Sequence, residues 1–193
     1  MVKEPPEIYE AIVLPYIQKN PASRLQWVQN ILEEKCEMES LIYADRDPLT
    51  GFYLLPDSKW DRRTLTGIYL LAICKDPEIR SLRDLDGHKH MPLLEGIKKG
   101  VEEVVPIKFP GIQANQLRCF IHYQPTYYHF HVHIVHVDMV DGAGALVGQA
   151  HLLDDVIDNL KMFGPDYYAR KTLHYQLGGN HELYTLFNAA ASK

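Results

Sequence analysis

The segment Tyr127-Tyr128-His129-Phe130-His131-Val132-His133-Ile134-Val135-His136-Val137 alternates histidine with apolar residues, and no other stretch constrains the chain as tightly. In a β-strand, side chains at i, i+2 and i+4 share one face. A strand here sets His129, His131 and His133 in a row and sends Phe130, Val132 and Ile134 into a core behind them. His136 has the opposite parity and is expected in a second layer or at the surface. Leu117 to Tyr123 reads as the preceding strand, with Gln124-Pro125-Thr126 as a turn. If the two strands pair as a hairpin, His122 reaches the same row.

Three chemistries fit such a row. It is a solvated face rich in imidazole, or a metal site, since neutral imidazole is a common ligand and His-x-His on a strand can chelate. Against a metal, no carboxylate lies on the row: Asp138 has the parity of His136. The third is covalent catalysis, in which one imidazole attacks phosphorus while its neighbours fix its tautomer and balance charge.

Charge narrows the partner. Lys and Arg number 20 against 25 Asp and Glu, a formal net charge of −5. Grip on long nucleic acid needs many cations, so a small ligand or a protein is expected instead. With 46% hydrophobic and 23% charged residues the composition is that of a globular protein. Cys36, Cys74 and Cys119 include no C-x-x-C pair, which suggests neither a disulfide framework nor a zinc ribbon and points to a reducing compartment. Met1-Val2-Lys3-Glu4-Pro5-Pro6 lacks the apolar run of a signal peptide. The strongest apolar stretch, Ile68 to Cys74, is too short to span a bilayer. An intracellular protein without a membrane partner is the expectation.

Periodicity predicts a helix from Ser23 to about Glu39, with Leu25, Val28, Ile31 and Leu32 on its apolar face. Leu41 to Tyr43 and Gly51 to Leu55 read as strands around a turn at Asp45 to Pro48, and Thr66 to Cys74 as a buried strand. Met91 to Val105 reads as a helix ended by Pro106. His151 to Met162 is an amphipathic helix, Thr172 to Leu177 a short strand and Glu182 to Ala190 a final helix. The mixed order gives an α+β domain over residues 23–193, preceded by a connecting segment, 1–22. Asp141 to Gly148 is glycine-rich, but its G-x-G-x-x-x-G spacing lacks an acidic ribose partner and reads as a flexible connection.

His129-Phe130-His131-Val132-His133-Ile134-Val135 resembles the His-φ-His-φ-His-φ-φ pattern of the histidine triad nucleotide hydrolases and transferases. Leu14-Pro15-Tyr16, Gln26 to Leu32, Pro56-Asp57-Ser58-Lys59-Trp60, Ile79 to Leu85 and His122 to Tyr128 are similar, in order, to the C-terminal catalytic domain of the scavenger mRNA decapping enzymes. The resemblance implies a histidine triad fold with an antiparallel sheet flanked by helices. It also implies cleavage of short 7-methylguanosine-capped fragments through a nucleotidyl-histidine, with no cofactor and no metal. Carried over residue by residue, His131 is the nucleophile, with His129, His133 and His122 around the phosphates and Tyr127, Thr126 and Lys59 as phosphate contacts. Trp27 is the face that stacks on the cationic base, Glu37 the acid that meets its N1 and N2 donors, and Asp57 and Lys59 further nucleotide contacts.

Without the resemblance, Trp27 would be a core anchor and Glu37 or Lys59 a solvated charge. Trp60, Arg80 and Arg83 are expected to be structural. Two departures stand out. The chain has no room for the N-terminal domain that swaps between subunits in the family, and Gln149 precedes Ala150-His151 where the family can carry a basic residue. A homodimer in the cytoplasm, with a nuclear share left open, is the remaining expectation. A lid-less cap-binding module and a general dinucleoside polyphosphate hydrolase are the alternatives.

Overall fold

The computed structural model describes residues 1–19, 22–139 and 145–191. Asp141 to Gly144 of the glycine-rich connection lie outside the described residues. Six strands, β2 (Tyr43–Ala44), β3 (Phe52–Pro56), β4 (Tyr69–Cys74), β5 (Leu117–His122), β6 (His131–His136) and β7 (Ala150–Leu152), form an antiparallel sheet in the order β2-β3-β4-β6-β5-β7. A second sheet pairs β1 (Val2–Glu4) with β8 (Leu173–Tyr175). The helices are α1 (Pro6–Ile8), α2 (Leu14–Lys19), α3 (Gln26–Leu32), α4 (Met91–Lys108), α5 (Leu153–Phe163), α6 (Tyr167–Arg170) and α7 (Glu182–Ala191). This is the α+β, helix-flanked antiparallel architecture expected from the sequence.

Register decides which face carries chemistry. Val132 lies opposite Ala72 and Ile134 opposite Leu70. With Phe52 and Leu54 these side chains form the main core, against Leu94, Ile97 and Val101 of α4 and Val156 and Leu160 of α5. His131 lies opposite Ile73, and His133 opposite Leu71 on one side and Phe120 on the other. On that second face Val28 and Ile31 of α3 pack on Tyr53, Leu55 and Ile73. Burying two such aliphatic side chains contributes roughly 1.5–3 kcal/mol each, which seats α3 beside the histidine row.

Several element boundaries differ from the sequence expectation. The helix expected to reach Glu39 ends at Leu32, because Glu33-Glu34-Lys35-Cys36-Glu37 supplies no apolar side chain to bury and Glu34 and Glu37 take left-handed backbone (φ 58° and 63°). α4 continues past Pro106 to Lys108. Only the bond to the Glu102 carbonyl is lost there, and Glu102 is exposed to water. His151 belongs to β7, and α5 starts two residues later.

The stretch 1–22 contributes β1, α1 and α2, and Glu4 at the end of β1 is fully buried. Its carboxylate accepts from Arg83 Nε (2.9 Å) and Nη2 (2.7 Å), from Tyr123 Oη (2.6 Å), from Gln124 Nε2 (3.1 Å) and from Tyr175 Oη. Arg83 also donates to the carbonyls of Glu4, Tyr168 and Lys171. Arg80 pairs with Asp84 at 2.8 Å, and Trp60 is buried with its Nε1 donating to Thr64 O. No helix among the described residues is long and apolar enough to cross a membrane.

Candidate active site

Antiparallel pairing of β5 and β6 places Phe120 opposite His133, so His122 shares that face two residues on. The rings of His122 and His133 lie 4.0 Å apart, and those of His131 and His133 4.8 Å apart. The connection between the strands folds Thr126 and Tyr127 over the row. Tyr127 stacks on His131 with centroids 4.2 Å apart and planes 13° apart, and Trp27 meets the same phenol edge-on at 4.9 Å.

The left-handed residues after α3 matter here. In a continued helix Glu37 would stand about 15 Å along the axis from Trp27. Instead the chain turns back, and Trp27, Glu37, Asp57, Lys59, His122, Thr126, Tyr127, His131 and His133 all line one cavity of about 390 Å³. Asp57 is buried and accepts from the Lys59 backbone N–H at 2.8 Å, while Lys59 Nζ sits 5.2 Å from the centre of the Tyr69 ring.

His129 is the one predicted site residue that does not line the cavity. It precedes β6 and is buried, with its Nε2 donating to Cys74 O at 2.7 Å. Its backbone carbonyl in turn accepts from His131 Nδ1 at 2.7 Å. A carbonyl only accepts, so Nδ1 of His131 carries the hydrogen and Nε2 the lone pair. His129 thus holds the orientation and tautomer of the His131 ring through its main chain.

Burial pushes the His131 imidazole down to about 4, the nearby His122 and His129 adding to the effect against the bond to His129 O. Burial likewise lowers His129 and His133. A neutral, nucleophilic imidazole at physiological pH follows. Two buried polar atoms in the cavity lining, Tyr127 Oη and His133 Nε2, have no protein partner, and such atoms are the ones an oxygen-rich ligand would satisfy. His133 Nδ1 faces Tyr69 Oη at 3.0 Å.

Sequence reasoning missed Tyr69 and Arg62. Tyr69 lies sixty-four positions from His133, a contact no local pattern announces. Arg62 reaches the cavity from a turn with positive φ (60°) and donates to Ser40 Oγ at 3.0 Å. His136, expected in a second layer or at the surface, is buried, and its Nδ1 accepts from Asp138 N at 3.2 Å. Among the described residues no group of three or more His, Cys, Asp or Glu is placed to hold a metal ion.

Residues 26–145 match the family described as "Scavenger mRNA decapping enzyme C-term binding". The chain belongs to this family. As a member of the scavenger decapping family it is 46% identical over 184 residues to the m7GpppX diphosphatase of Schizosaccharomyces pombe, covering 95% of this chain and 60% of that protein. It is 45% identical to the m7GpppX diphosphatase of Ascaris suum, over 91% of this chain and 56% of that one, and 37% identical to that of Homo sapiens, over 98% and 55%. The chain therefore spans between half and two thirds of the length of these relatives. Among solved structures, "Hnt3 in complex with DNA and guanosine" superposes with a TM-score of 0.50 at 17% identity, covering 86% of this chain and 92% of that one. That likeness shows the fold, a histidine triad type antiparallel sheet flanked by helices. Of the site residues expected from the resemblance, all but His129 meet in the cavity.

Proposed function

We propose that the chain hydrolyses 7-methylguanosine-capped dinucleotides or short capped RNA fragments, releasing 7-methylguanosine monophosphate and a nucleoside or oligonucleotide diphosphate. The observation that carries this reading is the bond from His131 Nδ1 to His129 O, which leaves the Nε2 lone pair for attack in a cavity lined by Trp27, Glu37, Asp57 and Lys59. The names of the relatives support the same substrate class.

His131 Nε2 forms a bond to the phosphorus next to the methylguanosine, and the bridging P–O bond on the far side breaks, its electron pair leaving with the diphosphate. Water then attacks the nucleotidyl-histidine, and the N–P electron pair returns to Nε2. Lys59, His122, His133 and Tyr127 Oη offer donors to the phosphate oxygens, worth most in a cavity shielded from water. The methylated base is cationic, and the exposed face of Trp27 with the Glu37 carboxylate suits it; the π contact is worth about 0.5–2 kcal/mol. By the histidine triad resemblance the working form is a homodimer, which sedimentation tests.

The test is turnover of a capped dinucleotide in EDTA, beside the same dinucleotide with unmethylated guanine. The proposal expects cleavage in EDTA and a clear preference for the methylated substrate. Binding without turnover would make the chain a cap-binding module. Equal rates on both substrates would make it a general dinucleoside polyphosphate hydrolase.

A further inference from the structure

Across the wall formed by Trp27 and Tyr127 from the catalytic cavity lies a second cavity of about 470 Å³. The two share Trp27, Thr126 and Tyr127, so they are joined at one rim, where Thr126 is exposed. The second cavity has a different character. Its charged lining residues are Arg24 and Arg80, with no carboxylate among them, and Tyr16, Tyr128 and His181 supply ring surfaces. Arg80 is held by its pair with Asp84, and Arg24 is exposed. Tyr16 meets Tyr128 edge-on at 6.1 Å and lies 6.4 Å from His181. In a chain of net charge −5, this lining joins aromatic surface to two guanidinium groups, of which Arg80 is balanced by Asp84.

Cations spaced among ring faces are what single-stranded nucleic acid requires, with phosphodiesters meeting guanidinium groups and bases stacking on aromatic rings. We infer that this second cavity binds the leaving side of the substrate, the one or two nucleotides that follow the cap-proximal one in a capped RNA fragment. The inference rests on the decapping reading above. Glu37 and Asp57 line only the first cavity, so a methylated base held by them leaves the Thr126 rim open to the departing chain. The second cavity begins at that residue. Its volume falls in the range of small-ligand sites, enough for a short segment and not for a long track. Arg24 touches neither the scissile phosphate nor the methylated base, and acts only on substrates long enough to reach it.

The experiment compares kcat/KM on a capped dinucleotide and on a capped ten-nucleotide RNA for the unmodified chain and for Arg24→Glu and Arg24→Lys. Arg24→Glu is expected to leave the dinucleotide unchanged and to lower the longer substrate by about three- to tenfold, with Arg24→Lys restoring most of the loss. The salt dependence of the longer substrate should flatten by about 0.7 in log–log slope for each phosphate contact removed. An equal loss on both substrates, or none on either, overturns the assignment. If the unmodified chain cleaves neither, the decapping reading fails, and binding of an uncapped RNA 5′-diphosphate followed by fluorescence anisotropy still decides the cavity. Salt-sensitive binding that weakens in Arg24→Glu upholds it, and absent or unchanged binding sinks it.

Discussion

The phenol ring of Tyr127 lies flat on the imidazole of His131, 4.2 Å away, while its hydroxyl is buried without a protein partner. One side chain thus clamps the His131 ring and leaves a hydroxyl open to a ligand. Tyr127→Phe keeps the clamp and loses the donor. It should lower kcat/KM by roughly 10- to 100-fold, the worth of one hydrogen bond to a charged group. Tyr127→Ala also frees the His131 ring and should cost more, mainly in kcat. Equal losses in the two variants would show that the stacking does not matter.

Trp27 is exposed and Trp60 buried, and these are the two tryptophans of the chain. A 7-methylguanosine nucleotide should therefore quench only part of the emission, all of it from Trp27. Trp27→Ala should abolish quenching and weaken binding by roughly 2- to 30-fold, matching a cation–π contact. Quenching that survives in Trp27→Ala would place the base elsewhere.

Much of this geometry is legible in the sequence because it is local. The period-2 row from His129 to His133 and the hairpin that adds His122 follow from strand geometry alone. Only family resemblance draws Trp27, Glu37, Asp57 and Lys59 together, since no local rule distinguishes Glu37 from any solvated acid. By sequence, the turn that returns Glu37 to the cavity reads as more helix. Charged residues carry good helix propensity, and the loss of apolar periodicity after Leu32 was the available signal. The burial of Glu4 was not legible at all, because its partners Arg83 and Tyr123 stand 79 and 119 positions away.

That buried pair predicts a stability effect. Glu4→Gln leaves the Arg83 guanidinium, 4% exposed, without its counter-charge. Removing one partner of a buried pair costs about 3–5 kcal/mol, which should appear as a lower denaturant midpoint with unchanged m-value. A change under about 1 kcal/mol would mean that the carbonyl contacts of Arg83 suffice.

The histidine row makes folding pH-dependent. In the unfolded chain its imidazoles take up protons below about pH 6.5, whereas folded His131 stays neutral down to about 4. The unfolded state therefore binds more protons in this window, so stability is full above about pH 6.5 and falls as pH drops toward 4, by roughly 3 kcal/mol for His131 alone. Denaturation series across that window should show the loss, and His131→Asn should reduce it, with His129 and His133 keeping the remainder. A stability flat from pH 7 to 4.5 would contradict neutral burial.

In the proposed reaction His131 becomes covalently linked to the nucleotide. Rapid acid-free quenching of the enzyme with capped dinucleotide, followed by peptide mass spectrometry, tests it directly. The expected adduct is a 7-methylguanosine monophosphoryl group on the peptide containing His131, absent in His131→Asn, which should also lose turnover. An adduct on another residue, or undiminished turnover in His131→Asn, would contradict the mechanism.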